Sequence, residues 1–326
     1  MDGLKLVSRR TSAFALLVTL AAAAAGCSTQ PVPTTTPTQS ASQTASETPT
    51  PTPTDNKVRV VSSVAVWAEI AKQIGGGLVD ASAIIESQYQ DPHSYEATVR
   101  DQLAVNQAQV TIENGAGYDT FFHKLVTAKP ANAGNVNLLA SSILIPGLPL
   151  RPDTNPHFWY DFAFANVMAK STYQALVKVA PASDTTALTA NYKKLSAAID
   201  DLTARAKTLR TKTFDSRVLL TEPFAAFTLD ALGMRNMIPQ AFANAVEAET
   251  DASPAVMNQI KTMITRHQVK LVILNQQTTG AQTSQISTWA TSTGVPVIEL
   301  SELLPAHTSY VTWMKRTLTA ISGAIK

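Results

Sequence analysis

Ser183-Asp184-Thr185-Thr186-Ala187-Leu188 opens a stretch that runs unbroken to Arg210, SDTTALTANYKKLSAAIDDLTARAKTLR. Leu188, Leu195, Leu202 and Leu209 recur every seven residues, with Ile199 and Ala206 adjoining them on the same stripe. One apolar stripe on an otherwise polar segment predicts an amphipathic helix laid on a core. A coiled coil is the other reading of that spacing, but the repeat is short and only one stripe is apolar. After Pro181, Ser183 and Asp184 supply capping side chains. A helix from Asp184 to Arg210 is roughly 40 Å long at the usual rise, long enough to act as a spine for two bodies.

Both flanks of this segment alternate short β-rich runs with helical stretches. Before it, Val58-Arg59-Val60-Val61 predicts a strand, and Val66 to Ile74 a helix ended by Gly75-Gly76-Gly77. Ala83-Ile84-Ile85, Gln109-Val110-Thr111-Ile112 and Val136-Asn137-Leu138-Leu139 follow as strands. After it, Arg217 to Leu220, Val269 to Leu274 and Pro296 to Ile298 resume the pattern. Strands separated by helices argue for parallel sheets. The expected fold class is α/β, with two α/β lobes of parallel-rich sheets joined by one long backbone helix. The expected lobes are residues 56–182 and 212–326, with the spine at 183–211.

The chain begins as an exported protein would. Lys5, Arg9 and Arg10 form a positive region, and Ala13 to Ala25 is an apolar run too short for a stop-transfer helix. Residues 1–26 are therefore expected to be a signal peptide, by either the general or the twin-arginine route. Cys27 is the only cysteine among the 326 residues, and Ala24-Ala25-Gly26-Cys27 resembles a lipobox. Lipidation of Cys27 would anchor the protein at the outer face of the cytoplasmic membrane. Residues 27–55 are almost entirely Thr, Pro, Ser and Gln, a composition that forms a tether and not a core. Net charge is +2 without a Lys/Arg cluster, so no nucleic-acid partner is expected. The body past the tether offers no further membrane span and is expected to be soluble and monomeric.

Two Pro-His dipeptides carry the chemistry. Asp91-Pro92-His93-Ser94-Tyr95 and Asn155-Pro156-His157-Phe158-Trp159-Tyr160-Asp161 each place an imidazole where proline has fixed the backbone. Ligands of parallel sheets bind beyond the carboxyl ends of the strands, and Glu222 and Glu302 follow strands of the second lobe. Two imidazoles and two carboxylates offset a divalent charge and complete four N/O ligands, a closed site suited to carrying metal. Each residue also has a plainer reading. His93 can be a turn residue after Asp-Pro, and His157 a hydrogen-bonded core histidine. Glu222 can cap the helix that Pro223 starts, and Glu299 can replace Glu302. His123, His267 and His307 read as surface residues.

With Asn114-Gly115-Ala116-Gly117-Tyr118, the two Pro-His motifs and the long helix after them, the chain resembles the metal-binding receptors of bacterial ABC importers for zinc and manganese. That family includes streptococcal-type adhesin lipoproteins. The resemblance covers roughly Val58 to the C-terminus. It implies Zn²⁺ or Mn²⁺ as cargo, an ABC permease membrane subunit as partner, and two lobes closing on one ion with limited hinge motion. It carries over His93 and His157 as ligands. Glu222-Pro223-Phe224 stands where many members have His-Asp, and Glu302 where Asp is usual; the His- and acid-rich loop of many zinc-specific members is missing. Asp161 is expected to orient an imidazole from behind the ligands. The rivals are a receptor for a siderophore, haem or other organic metal complex, and a secreted metallohydrolase. For the latter, neither His-Glu-x-x-His nor Gly-x-Ser-x-Gly is present. A role in adhesion could coexist with transport.

Overall fold

The computed structural model describes residues 57–90, 94–130, 135–144, 154–248 and 250–325. The signal segment, Cys27, the tether and His93 lie outside them. The first sheet contains β1 (Val58–Val64), β2 (Val79–Ile85), β3 (Val110–Glu113) and β4 (Val136–Leu139), in the order β2-β1-β3-β4 and parallel throughout. The second contains β5 (Arg217–Leu220), β6 (Arg235–Asn236), β7 (Leu271–Asn275) and β8 (Val297–Leu300), in the order β6-β5-β7-β8 and again parallel. The two halves thus share one winding, as the alternation of strands and helices predicts.

Parallel neighbours need crossovers, and helices supply them. The first half uses α1 (Ala65–Gly75), α2 (Val99–Gln107), α3 (Thr120–Thr127) and α4 (Ala140–Leu144). Gly76, at φ 54°, takes the left-handed turn that ends α1 where the glycine run stands. Next come α5 (Phe162–Val179) and α6 (Thr185–Thr213). The second half uses α7 (Ala226–Ala231), α8 (Gln240–Glu247), α9 (Pro254–Thr265) and α10 (Ala281–Ser292), and α11 (Tyr310–Ala324) follows.

The spine is α6, a helix of 29 residues whose buried positions include Leu188, Leu195, Ile199, Leu202 and Ala206. Two details differ from expectation. The helix continues past Arg210 to Thr213, whose hydroxyl donates to Leu232 O at 2.7 Å. Neither Ser183 nor Asp184 caps it by a side-chain bond: Ala182–Asp184 forms a 3₁₀ turn, so Asp184 is already helical and cannot adopt the extended backbone of a capping residue. The two-residue β6 went unpredicted because it carries no apolar run.

One hydrophobic core spans both sheets. Val60, Val64 and Ile112 from the first sheet, the α6 stripe, and Val218, Leu220, Leu271 and Ile273 from the second belong to a single buried cluster. Their strand neighbours Leu219, Val272 and Leu274 point the other way, into a separate cluster with Phe242, Ile260, Ile264 and Ile286. The twofold alternation of strand side chains makes this division. Within the segment expected to form the second lobe, α11 packs against both α6 and α1. Tyr310 N donates to Glu69 Oε2 at 3.1 Å, and Tyr310 Oη to Trp159 O at 2.7 Å. Among the described residues no helix is long and apolar enough to cross a membrane.

Candidate metal centre

In each sheet the winding reverses between the first and third strands, which opens a crevice at their carboxyl ends. Glu222 lies two residues past β5, Asn275 ends β7, and Glu302 lies two residues past β8. His157 reaches the same place from the first half, just before the 3₁₀ turn Phe158–Tyr160. Glu299 sits within β8 and is exposed, whereas Glu302 is 5% exposed. His123, His267 and His307 are exposed, as expected.

The convergence is tight. His157 Nε2 lies 3.1 Å from Glu302 Oε1, and Tyr118 Oη donates to the same oxygen at 2.5 Å. Asn275 Nδ2 donates to Glu302 Oε2 at 2.7 Å and to Glu222 Oε2 at 2.5 Å, and Thr278 Oγ1 adds a bond to Glu222 Oε2 at 2.5 Å. Trp159 Nε1 donates to Glu302 O, and Gln277 Oε1 accepts from Glu302 N. These bonds fall on both carboxylate oxygens of Glu302 and on Oε2 of Glu222, and no three His, Cys, Asp or Glu among the described residues form a group ready to hold an ion. His93 is the expected ligand missing from that count.

Asn155 sets the orientation of His157. Its Oδ1 accepts from His157 N at 3.0 Å and faces Nδ1 at 2.7 Å, while its Nδ2 donates to Pro223 O at 2.8 Å. Two independent partners fix which end of the amide points where. Nδ1 therefore carries hydrogen and Nε2 is the atom turned toward the acids. Asp161 caps α5 by accepting from Phe164 N at 3.1 Å, and it is Asn155 that faces Nδ1 of His157. Asp161 has the extended backbone a capping residue needs.

Glu222 precedes a 3₁₀ turn starting at Pro223, but its side chain does not cap it. The capping alternative fails, because that carboxylate is taken by Asn275 and Thr278. Burial, then the charge of Glu302, push the Glu222 carboxyl up, partly offset by its hydrogen bonds. Burial would also raise Glu302, but the charge and hydrogen bond of His157, with bonds from Tyr118 and Asn275, outweigh it and hold Glu302 below the usual carboxylate range. The pair is driven apart, as two close carboxylates in unequal settings must be.

The loop after β3 braces the histidine. Asn114 accepts from Trp67 Nε1 at 3.2 Å and donates to Pro156 O at 2.9 Å. Asp119 holds that loop by accepting from Asn114 N and Gly115 N, both at 2.7 Å. Gly115 has φ 79°, and a Cβ there would meet Ser141 Oγ at 2.2 Å, so only glycine fits. Sequence reasoning assigned no role to Asn155, Tyr118, Asn275 or Thr278. A signal existed for two: Asn155 precedes Pro156-His157 in turn-forming order, and Asn275-Gln276-Gln277 breaks abruptly from an apolar strand.

A pair of like-wound parallel sheets on one spine, with acids of one half facing an imidazole of the other, defines a helix-linked two-lobed binding protein. The family model for ZnuA, "Zinc-uptake complex component A periplasmic", matches residues 60–324, and the chain belongs to that family. It is a family of substrate-binding components, not of enzymes. The chain is 23% identical over 287 residues to the metal ABC transporter substrate-binding lipoprotein SloC of Streptococcus mutans, covering 83% of this chain and 91% of that protein. It is 24% identical over 286 residues to the manganese ABC transporter substrate-binding lipoprotein PsaA of Streptococcus pneumoniae, covering 82% and 89%. Its fold is similar to that of the periplasmic zinc binding protein TroA from Treponema pallidum, with TM-score 0.68 and 21% identity over 82% of this chain and 99% of that one.

Proposed function

We propose that the protein captures a divalent transition metal, Zn²⁺ or Mn²⁺, in the cleft between its two lobes and delivers it to the permease subunit of an ABC importer. The ligands in this reading are His157, Glu222 and Glu302, with His93 supplied by the Pro-His loop outside the described residues. The observation that carries it is the approach of His157 Nε2 to Glu302 Oε1 at 3.1 Å, between residues that lie in different halves. Entry of an ion would exchange the hydrogen bonds of Tyr118 and of the His157–Glu302 pair for bonds to metal. A closed set of protein ligands leaves no position for an activated water, so the protein carries its cargo without reacting it. The lobes, residues 56–182 and 212–326 about the spine 183–211, share one core, which supports small closing motions over wide ones.

The relatives named lipoproteins support a lipid anchor on Cys27 at the outer face of the membrane. Calorimetric titration of the purified protein with Zn²⁺ and Mn²⁺ tests the core of the reading. One ion per chain is expected, and loss of binding in Glu222→Gln and Glu302→Gln. Unchanged affinity in both variants would remove the site.

A further inference from the structure

The Asn275-Gln276-Gln277-Thr278 loop touches both proposed carboxylate ligands, and no role has been assigned to it. Asn275 is 2% exposed, and its two amide hydrogens go one to Glu222 Oε2 and one to Glu302 Oε2. The amide cannot be reversed, because Asn275 Oδ1 accepts from Gln277 N at 3.1 Å, a group that only donates. Gln277 continues the hold: its Oε1 accepts from Glu302 N at 2.7 Å and its Nε2 donates to Ser301 Oγ at 2.9 Å. Thr278 Oγ1 donates to Glu222 Oε2. Every bond from Asn275 and Thr278 to a carboxylate thus falls on Oε2, and Oε1 of Glu302 is the oxygen turned to His157 Nε2.

We infer that Asn275 is a specificity-determining residue that holds Glu222 and Glu302 to one metal bond each. An oxygen held by a short bond from a buried amide has one lone pair committed and its direction fixed, and unlike Oε1 of Glu302 it is not the oxygen turned to the imidazole, so chelation through both oxygens is disfavoured at each carboxylate. Two single oxygens with the imidazole ligands suit a four-coordinate ion such as Zn²⁺. Mn²⁺ favours more oxygens in an octahedral set, which this loop withholds. The inference rests on the proposed metal site and adds that the loop after β7 sets the ratio of Zn²⁺ to Mn²⁺ affinity.

The test compares the intact protein with Asn275→Leu, Thr278→Val and the double variant, each titrated with Zn²⁺ and Mn²⁺. X-ray absorption of the bound metal reports the number of oxygen neighbours. Leucine keeps the size of asparagine without its hydrogens. In Asn275→Leu the ratio of Zn²⁺ to Mn²⁺ affinity should fall about tenfold, within the range that residues behind metal ligands command. Oxygen neighbours should rise by one, and by two in the double variant, where Glu222 Oε2 is also released. Thr278→Val alone should change the ratio little, since Asn275 still holds Glu222. Equal weakening for both metals with unchanged coordination would overturn the inference, because a purely structural role predicts that. If Asn275→Leu fails to fold, Asn275→Ser takes its place with the same readouts. Failure of the unmodified protein to bind either ion would instead overturn the metal site itself, an outcome distinct from an unchanged ratio.

Discussion

Asn155 grips His157 twice, accepting from its backbone N–H at 3.0 Å and facing Nδ1 at 2.7 Å, while its own amide reaches Pro223 O in the second half at 2.8 Å. One side chain therefore orients the imidazole and ties the first-half loop to the residue after Glu222. Asn155→Ala should weaken Zn²⁺ binding by about 10–100-fold, the usual cost of losing the partner behind a ligating imidazole. Asn155→Asp should retain most of the affinity, since a carboxylate accepts the Nδ1 hydrogen as well. Calorimetry on the two variants decides it, and equal losses in both would point to the Pro223 bond instead.

Removing a ligand should cost more than removing its support. His157→Ala, Glu222→Gln and Glu302→Gln are each expected to lose more than about 100-fold in affinity, beyond the loss that a residue behind the ligands brings. Glu299→Gln, an exposed change within β8, should bind as the unmodified protein does. Competition against a chromophoric chelator measures the four together, and a large loss in Glu299→Gln would move the ligand back into the strand.

The two acids should pull stability in opposite directions with pH. Burial and Glu302 raise Glu222, so its favourable contribution is present below the ordinary carboxylate range and lost as pH rises through its folded value. His157, Tyr118 and Asn275 overcome the effect of burial on Glu302, so its contribution is present above that range and lost as pH falls. In a chelating buffer, Glu222→Gln should therefore gain on the unmodified protein from about pH 5 to about pH 8, on the order of 1–3 kcal/mol. Denaturant midpoints across that window give the sign; a gain confined to pH 5 contradicts it. Metal binding should also release protons, and affinity should climb with pH.

Unfolding should be a single event despite the two sheets. The larger buried cluster runs from Val60 through Leu202 to Ile273, so the first half has no core of its own to melt separately, and the smaller cluster of the second half lies on the other face of strands that this shared core also covers. Leu202→Ala should destabilise the whole by about 2–5 kcal/mol. Far- and near-ultraviolet dichroism should report one coincident transition in urea. Two separated transitions would show that the halves unfold independently.

Much of this architecture is legible in the sequence because its signals are local. The leucine stripe of α6 and the short apolar strands are read from residues three to seven apart, and those elements stand where expected. The errors sit at element ends. Ser183 and Asp184 have capping chemistry but fall in a 3₁₀ turn. β6 is too short to leave a pattern.

The sequence by itself determined the two-sheet plan, the spine, and the residue types at the carboxyl ends of the strands, since periodicity and strand-end position need no partner. Only the tertiary structure decided how those residues meet. Glu302 and not Glu299 turns inward to His157, 145 residues away in the chain. Asn155 stands behind the imidazole of His157, and Asn275 sits between the two carboxylates. Such pairings are made by packing between distant segments, and no local spacing encodes which buried donor will reach which acid.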